Sequence, residues 1–406
     1  MRSIKTQYFL AFAVFGSILP YLSAYLESSC GLSRVQIGHV LASSSLGVIL
    51  TPVLITLLAD AWLDARRLIA AAFCLAVVAL LGLLLADGFW PILVAYAAFS
   101  LLVAPLIPLQ DGLFFVVSED RARRGAGTSP FHRVRVFGSV GFILPGVVLF
   151  VALRGGAPSG AILIVAMTLS SLGLANAMLL PTTPRLPRVE RADGGRPMGG
   201  LPTAAALRAC LEPHVLVFLV AMFLVQMAAA AFYGFFPIYL EKAIKLDMQW
   251  FGLIASGGVF VEIFFMYGFG WLLERLGIRW MMVCGALCMA MRFALMAMAP
   301  TVFVAIGTQI FHGMQVMALH VAPPLYLNDR AENHYRSSMQ GLYTMVVIGV
   351  GRWVGSVLSG YVAADSLLRV FGYSAALCLA AAAMFAFVFR DGRRRPAAGE
   401  AAWPAE

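Results

Sequence analysis

Residues 258–280 read GVFVEIFFMYGFGWLLERLGIRW, an apolar run that carries one carboxylate, at Glu262, and ends in a short charged segment. Similar runs fill the chain, which has 406 residues, is 61% hydrophobic and 12% charged, and has a mean hydropathy of +0.87. A soluble domain carries about 25% charged residues, and a helix needs about 20 mostly apolar residues to cross a bilayer. The composition therefore predicts an integral membrane protein with many spans.

Twelve apolar runs are long enough to cross a bilayer. They fall at residues 7–26, 35–58, 68–87, 91–117, 131–153, 159–181, 214–240, 248–273, 280–299, 301–327, 338–363 and 367–389. A basic, Pro/Gly-rich segment at 182–212 is the only long polar interruption, and it divides the spans six plus six. The prediction is an all-α membrane protein of twelve transmembrane helices. It has a six-helix bundle at 1–181, a cytoplasmic loop at 182–212, a second bundle at 213–390 and a cytoplasmic tail at 391–406.

Basic residues are distributed unevenly between the two sides of these spans. Of the 29 Lys and Arg, the odd-numbered loops hold only five, whereas nearly all the others lie in even-numbered loops and in the tails. The five are Arg34, Arg154, Lys242, Lys245 and Arg369. Because cytoplasmic loops carry such an excess, both termini are expected in the cytoplasm. The same rule explains the net charge of +9 without a nucleic-acid partner.

The two halves share a weak internal repeat. A shift of 214 residues places YLE at 25–27 on YLE at 239–241, and Gly38 on Gly252. A shift of 218 residues places VAPLIPLQD on VAPPLYLND. Such repeats predict pseudo-symmetric bundles, with a solute site near mid-membrane between the halves.

Three charged residues lie about halfway along predicted spans, namely Glu262, Arg292 and Arg352. A charge at the bilayer centre costs about 2.5–3.5 kcal/mol on insertion scales, so these residues are expected to face a cavity or one another. Glu262 is the candidate proton carrier, because a carboxyl group near an Arg can load a proton on one side and release it on the other. The alternative is a static Glu262–Arg292 pair that holds the second half together.

Asp111 and Arg135 lie near the inner ends of spans four and five and could pair across these helices. Asp111 is a second candidate for proton coupling. Alternatively, it satisfies backbone groups freed by the preceding Pro105 and Pro108.

The loop after span eight, GWLLERLGIRW, and its first-half equivalent, LLADAWLDARRL, resemble the cytoplasmic loop signature of the major facilitator superfamily. The resemblance implies the fold of that superfamily and a cytoplasmic gate formed by Asp60, Arg66, Glu274 and Arg275. Acids at helix ends can pair with basic groups and close that side in one state. The first copy lacks both glycines of the signature. The alternative is that these charges only anchor the loops in the cytoplasm.

Other stretches narrow the resemblance. FHRVRVFGSVGFIL and RSSMQGLY are similar to bacterial nucleoside:proton symporters, whereas PLIPLQDGL and GGVFVEIFF are similar to phenylpropionate permease, and both groups lie near the lactose permease branch. The resemblance implies a functional acid at Glu262, a role for Arg135 in substrate binding or coupling, and an Arg292–His312 pair in proton coupling. That branch places a coupling Glu one turn after the His, where this chain has Gln315.

The solute site is expected to draw on Tyr233 and Gln226 in span seven, together with guanidinium groups that can receive a carboxylate. These guanidinium groups belong to Arg135, Arg292 and Arg352. The nucleoside branch places amides where this chain has Ala228, Ala231 and Val259, which argues against a nucleoside.

The predicted function is secondary active transport by alternating access, with proton symport of a small organic solute, preferably an aromatic or other monocarboxylate. A nucleoside:proton symporter and an efflux carrier driven by proton antiport remain alternatives. A polytopic membrane enzyme is less favoured because the sequence lacks an HExxH motif, a GxSxG elbow and an Asp-rich metal motif. The expected partners are the solute, protons and the lipid bilayer. We expect a monomer without metal or cofactor.

Overall fold

The computed structural model describes residues 1–60, 64–125, 127, 130–182, 202–332 and 335–390, with residues 52–60, 132, 202 and 203 described in their backbone only. All regular structure within these ranges is helical, which confirms the all-α prediction. Nine of the described stretches are long and apolar enough to cross a membrane.

The helices follow the predicted spans. They are α1 (Arg2–Ser28), α2 (Arg34–Asp60), α3 (Ala65–Leu85), α4 (Phe89–Arg123), α5 (Phe131–Arg154), α6 (Ala161–Ala177), α7 (Pro213–Ala243), α8 (248–276), α9 (278–298), α10 (Val302–Arg330), α11 (Arg336–Asp365) and α12 (Leu367–Val388). A short helix, Pro202–Cys210, precedes α7. The arrangement is consistent with twelve spans, because α2 and α6 add to the nine apolar stretches and the stretch Met248–Met298 contains both α8 and α9.

The junction between α8 and α9 is a sharp change of backbone direction at Gly277. This residue has φ 67° and ψ 166°, inside what is otherwise a continuous helix from Phe251 to Met298. A side chain would be strained at this positive φ, whereas glycine adopts it freely. Gly277, the second glycine of the GWLLERLGIRW segment, therefore separates two spans that hydropathy alone would join.

Two pairs of glycines bring the halves together. A Cβ added to Gly38 of α2 would lie 2.8 Å from the Cα of Gly360 in α11, and a Cβ added to Gly252 of α8 would lie 2.7 Å from the Cα of Gly146 in α5. Gly38 and Gly252 are 214 residues apart, and so are Gly146 and Gly360. The two contacts are therefore images of each other, as the internal repeat predicts.

Polar contacts between the halves lie at the same end of the molecule as the two glycine pairs. Arg34 Nε pairs with Glu27 Oε1 at 2.8 Å, and its Nη1 donates to the carbonyl oxygen of Ala363 at 2.9 Å. Ser28 Oγ donates to Glu241 Oε1 at 2.6 Å. Both acids belong to the repeated YLE segments. The end that carries 27–34, 241–252 and 360–366 is called the closed end, and the opposite one the open end.

Away from the closed end, polar side chains inside the spans are exposed. Tyr233 of α7 is 36% exposed although it lies well inside its span, and His320 of α10 is also exposed. Because both residues interact with charged groups of neighbouring helices, they face the interior of the bundle instead of lipid. We describe this interior space as the central cavity.

We expect Gly252→Ala to destabilise the protein, because the added Cβ would lie 2.1 Å from the Tyr21 hydroxyl as well as against Gly146. Overpacking typically costs about 1–3 kcal/mol, so the midpoint of thermal unfolding in detergent should fall by several degrees. Gly257→Ala is the matched control in the same helix, because an added Cβ there meets nothing within 4 Å. Equal midpoints for the two variants would contradict the close approach of α5 and α8.

Candidate functional site

Arg292 is the centre of a buried polar cluster in the second half. Its side chain, on α9, is 0% exposed. Nη1 donates to Gln315 Oε1 and Nη2 donates to Gln309 Oε1, each at 2.8 Å. The guanidinium carbon also lies 4.1 Å from the ring centroid of Phe232. The direct partners of Arg292 among the described residues are thus neutral, so the charge is stabilised by hydrogen bonds and an aromatic face.

His312 connects Arg292 to Glu262. Arg292 Nη1 lies 3.4 Å from His312 Nδ1. An arginine only donates, so Nδ1 accepts and the ring proton lies on Nε2, which is 3.8 Å from Glu262 Oε2. The imidazole of His312 therefore lies between Arg292 and Glu262, although its distance to Glu262 is longer than a hydrogen bond. The direct Glu262–Arg292 pair that the sequence allowed is not the arrangement seen in the described residues.

Glu262 also interacts with the first half. The charge of Arg135, on α5, acts on the Glu262 carboxylate from across the cavity. A single carboxylate on α8 thus lies between a histidine of its own half and an arginine of the other. A change in its protonation state would alter the attraction between the two halves.

Asp111 and Arg135 form a second cluster near the open end. The hydroxyl of Tyr8, on α1, donates a hydrogen bond to Asp111 Oδ1. Arg135 interacts electrostatically with both Tyr8 and Asp111, and its guanidinium carbon lies 4.1 Å from the ring centroid of Phe12. Tyr8 is therefore the direct partner of Asp111, whereas Arg135 acts on Asp111 through its charge, without the ion pair that the sequence suggested.

Arg352 differs from the other two arginines. It lies in the middle of α11 and is partly exposed to the cavity. Its electrostatic partners are the hydroxyls of Tyr233 and Tyr96 and the imidazole of His320. Within the described part of the chain, no carboxylate pairs with it and no side chain accepts a hydrogen bond from it. An ionised guanidinium near mid-span is thus left available to a ligand.

Tyr233 links these groups. Its hydroxyl accepts a hydrogen bond from Gln315 Nε2 at 3.0 Å and interacts electrostatically with Glu262, Arg292 and Arg352. The three mid-span charges therefore all act on one phenol, but only Glu262 and Arg352 are partly exposed, whereas Arg292 is fully buried.

Gln226 occupies a different environment. Its side chain is only 1% exposed, it lies beside the hydroxyl of Tyr343, and its β-carbon lies against Gly351. It is buried within the second half, away from the cavity surface. Its predicted contact with the solute therefore gains no support from its position.

The predicted gate is described only in part. The side chain of Asp60 lies outside the described residues. The backbone N–H of Arg66 donates to Asp64 Oδ1 at 3.1 Å, which caps the start of α3. Glu274 and Arg275 are exposed, and the guanidinium carbon of Arg275 lies 4.7 Å from the ring centroid of Trp271. The gate remains a prediction.

Gln309, Tyr8 and Tyr96 are not among the site residues predicted from the sequence. Gln309, His312 and Gln315 are spaced by three residues in an apolar span, so they lie on one face of α10. That spacing was a usable signal for the cluster. Tyr8 and Tyr96 gave none, because a tyrosine in a membrane helix is common at helix contacts and interfaces.

Comparison with known proteins identifies the family. Residues 1–373 match the family described as "MFS_1 like family". This chain belongs to that family. It is therefore a membrane transporter of the major facilitator superfamily, as its loop segments predicted.

Individual relatives of the transporter are named for different solutes. It is 29% identical over 373 residues to "Probable 3-phenylpropionic acid transporter" of Escherichia coli (strain K12), with 89% of this chain and 90% of the relative covered. It is 26% identical over 379 residues to "Xanthosine permease" of the same organism, with 88% and 86% covered.

Solved structures show the same fold. "Crystal structure of nucleoside transporter NupG" matches the transporter with a TM-score of 0.80 and 22% identity, over 94% of this chain and 98% of that chain. At this identity the likeness concerns the fold alone.

We expect Arg292→Lys to destabilise the transporter. Lysine keeps the charge, but a single ammonium cannot reproduce the planar fork that holds Gln309 and Gln315. The loss of a hydrogen bond to a charged group should cost about 1.5–3 kcal/mol and lower the midpoint of thermal unfolding. Arg369→Lys is the control, because that side chain is 71% exposed in a pair with Asp365, and surface pairs contribute about 0–1 kcal/mol. A smaller effect at Arg292 than at Arg369 would refute the buried cluster.

Proposed function

We propose that this transporter imports a small organic monocarboxylate together with a proton across the bacterial inner membrane. The observation that carries the proposal is Arg352, a cavity-facing guanidinium without a carboxylate partner among the described residues. A bidentate contact with a carboxylate suits such a group. The chain holds both halves of the cavity, so we propose that a monomer is sufficient.

The charges around the cavity favour an anion. The central part of the two halves holds three guanidinium groups, those of Arg135, Arg352 and the fully buried Arg292, and two carboxylates, those of Glu262 and Asp111. With all five groups ionised, one positive charge is in excess, and a monocarboxylate would balance it. The ring of Tyr233, which is 36% exposed, adds an aromatic surface to the cavity, which favours an aromatic or similarly flat apolar body on the solute.

Glu262 is the proposed proton carrier. As a carboxylate it attracts both the Nε2–H of His312 and the guanidinium of Arg135 in the opposite half. Protonation would remove the attraction across the cavity and free the halves to move. Asp111 is the second candidate, since Tyr8 and Arg135 surround it near the open end.

We infer the side of the membrane to which the cavity opens from the charge distribution of the loops. The closed end carries few basic residues, and the positive-inside rule therefore assigns it to the periplasm. The arrangement then corresponds to an inward-facing state, with both termini in the cytoplasm. Alternating access would open the glycine contacts of the closed end and bring the open ends together.

A nucleoside is the second candidate solute. The relatives named as nucleoside or xanthosine transporters favour it. The same experiments test both solutes, with 3-phenylpropionate, its uncharged amide, uridine and xanthosine as the four probes.

Glu262→Gln should abolish proton-driven accumulation and leave exchange measurable, because the amide keeps the shape of the carboxyl group but cannot carry a proton. The assay is uptake into proteoliposomes with an imposed pH gradient, compared with counterflow without a gradient. Glu119→Gln is the control, since Glu119 is exposed and paired with Arg123. Gradient-driven accumulation that survives Glu262→Gln would remove Glu262 from proton coupling.

Arg352→Gln should weaken binding of 3-phenylpropionate by at least about tenfold, the effect expected for a lost charge-assisted contact. Binding of the amide should change little, so the preference for the acid should disappear. Arg369→Gln is the control for loss of a positive charge at the surface. If the unmodified protein binds uridine or xanthosine and not the acid, the nucleoside alternative replaces the monocarboxylate.

A further inference from the structure

The hydrogen bonds of Gln315 orient its amide. Both Arg292 nitrogens that contact Gln309 and Gln315, Nη1 and Nη2, are donors. Nη1 lies 2.8 Å from one of the two terminal atoms of the Gln315 amide. An arginine has no acceptor, so that atom is the carbonyl oxygen. The other end of the amide, its NH2 group, then faces the Tyr233 hydroxyl at 3.0 Å. The buried arginine therefore fixes which way Gln315 points.

This orientation determines the role of the Tyr233 hydroxyl. A phenol has one O–H donor and an oxygen that accepts. Because Gln315 donates to the oxygen, the O–H hydrogen cannot be used in that contact. Among the described residues, none accepts a hydrogen bond from it, and the side chain is 36% exposed to the cavity. The hydrogen is thus available to a ligand in the cavity, where the charges of Arg352 and Glu262 also act on this hydroxyl.

From this geometry we propose that Gln315 is a positioning residue and that Tyr233 is a specificity-determining donor to an oxygen of the solute. The inference rests on the proposed function and refines its site. Tyr233 and Arg352 each present a donor to the cavity, so together they favour a head group that only accepts, such as a carboxylate. Arg292, which the sequence suggested as a direct ligand, acts through Gln315 because it is itself fully buried.

Two variants separate this role from simple packing. Tyr233→Phe removes the donor and keeps the ring. Gln315→Glu keeps the shape and still accepts from Arg292. The new carboxylate, however, cannot donate to Tyr233 and would instead accept its hydrogen, turning the donor away from the cavity. The readout is binding of 3-phenylpropionate and of its amide to the purified full-length protein by calorimetry, with thermal unfolding as the check on folding.

Tyr233→Phe should weaken binding of the acid by about tenfold, as expected for one hydrogen bond to a charged acceptor. It should weaken binding of the amide by only about threefold, because bonds to neutral acceptors are roughly half as strong. The acid should still be preferred, in contrast to the result expected for Arg352→Gln. In transport assays the change should appear in KM, with little change in the maximal rate.

Gln315→Glu should also weaken binding of the acid by tenfold or more, and its effect should be smaller in the Tyr233→Phe background. A double-mutant cycle measures this difference. Equal effects of Gln315→Glu in both backgrounds would mean that it acts by charge alone, which overturns the positioning role. Unchanged acid binding in Tyr233→Phe overturns the donor role and leaves the monocarboxylate proposal standing. If the unmodified protein binds neither the acid nor its amide, both proposals fail.

Discussion

The two glycine contacts at the closed end are the constraint on which the rest of the architecture depends. With no Cβ at Gly38, Gly360, Gly146 or Gly252, α2 approaches α11 and α5 approaches α8 at backbone distance. The exposed side chains of Tyr233 and His320 lie farther along their spans, so the central cavity lies beyond these contacts. Because both contacts join repeat-related positions, the cavity lies on the pseudo-symmetry axis. Small residues at such crossings are the usual means of close helix approach in membranes.

The two halves use the cavity differently although their backbones are related. The second half contains the deeply buried Arg292, whose charge is held by neutral amides and an aromatic ring. The first half contributes Asp111 and Arg135, nearer the open end and closer to water. Glu262 is the group that interacts with both. In the proposed mechanism, the asymmetry separates a fixed charge, which organises hydrogen bonds, from the carboxylate that takes up the proton.

Much of this organisation could be predicted from the sequence, for physical reasons that also set its limits. Span length, loop charge and the repeat depend on the chain alone, so the fold and superfamily predictions are confirmed. The rotation of each helix about its axis depends on tertiary packing. For that reason the sequence left a Glu262–Arg292 pair open, whereas the structure turns Arg292 toward Gln309 and Gln315. Gln226 shows the same limit, since a polar residue in an apolar span can as well be buried inside one half as face the cavity.

The proposed coupling follows from the charges that surround Tyr233. When Glu262 is ionised, it offsets part of the positive charge that Arg292 and Arg352 create at the phenol. Uptake of a proton by Glu262 removes that offset, so an anion in front of Arg352 is bound more tightly. Linkage is reciprocal: a bound anion must favour protonation of Glu262 by the same free energy. In the proposed mechanism, proton and monocarboxylate would therefore bind more readily together than separately, without any direct contact between them, which favours their transport together.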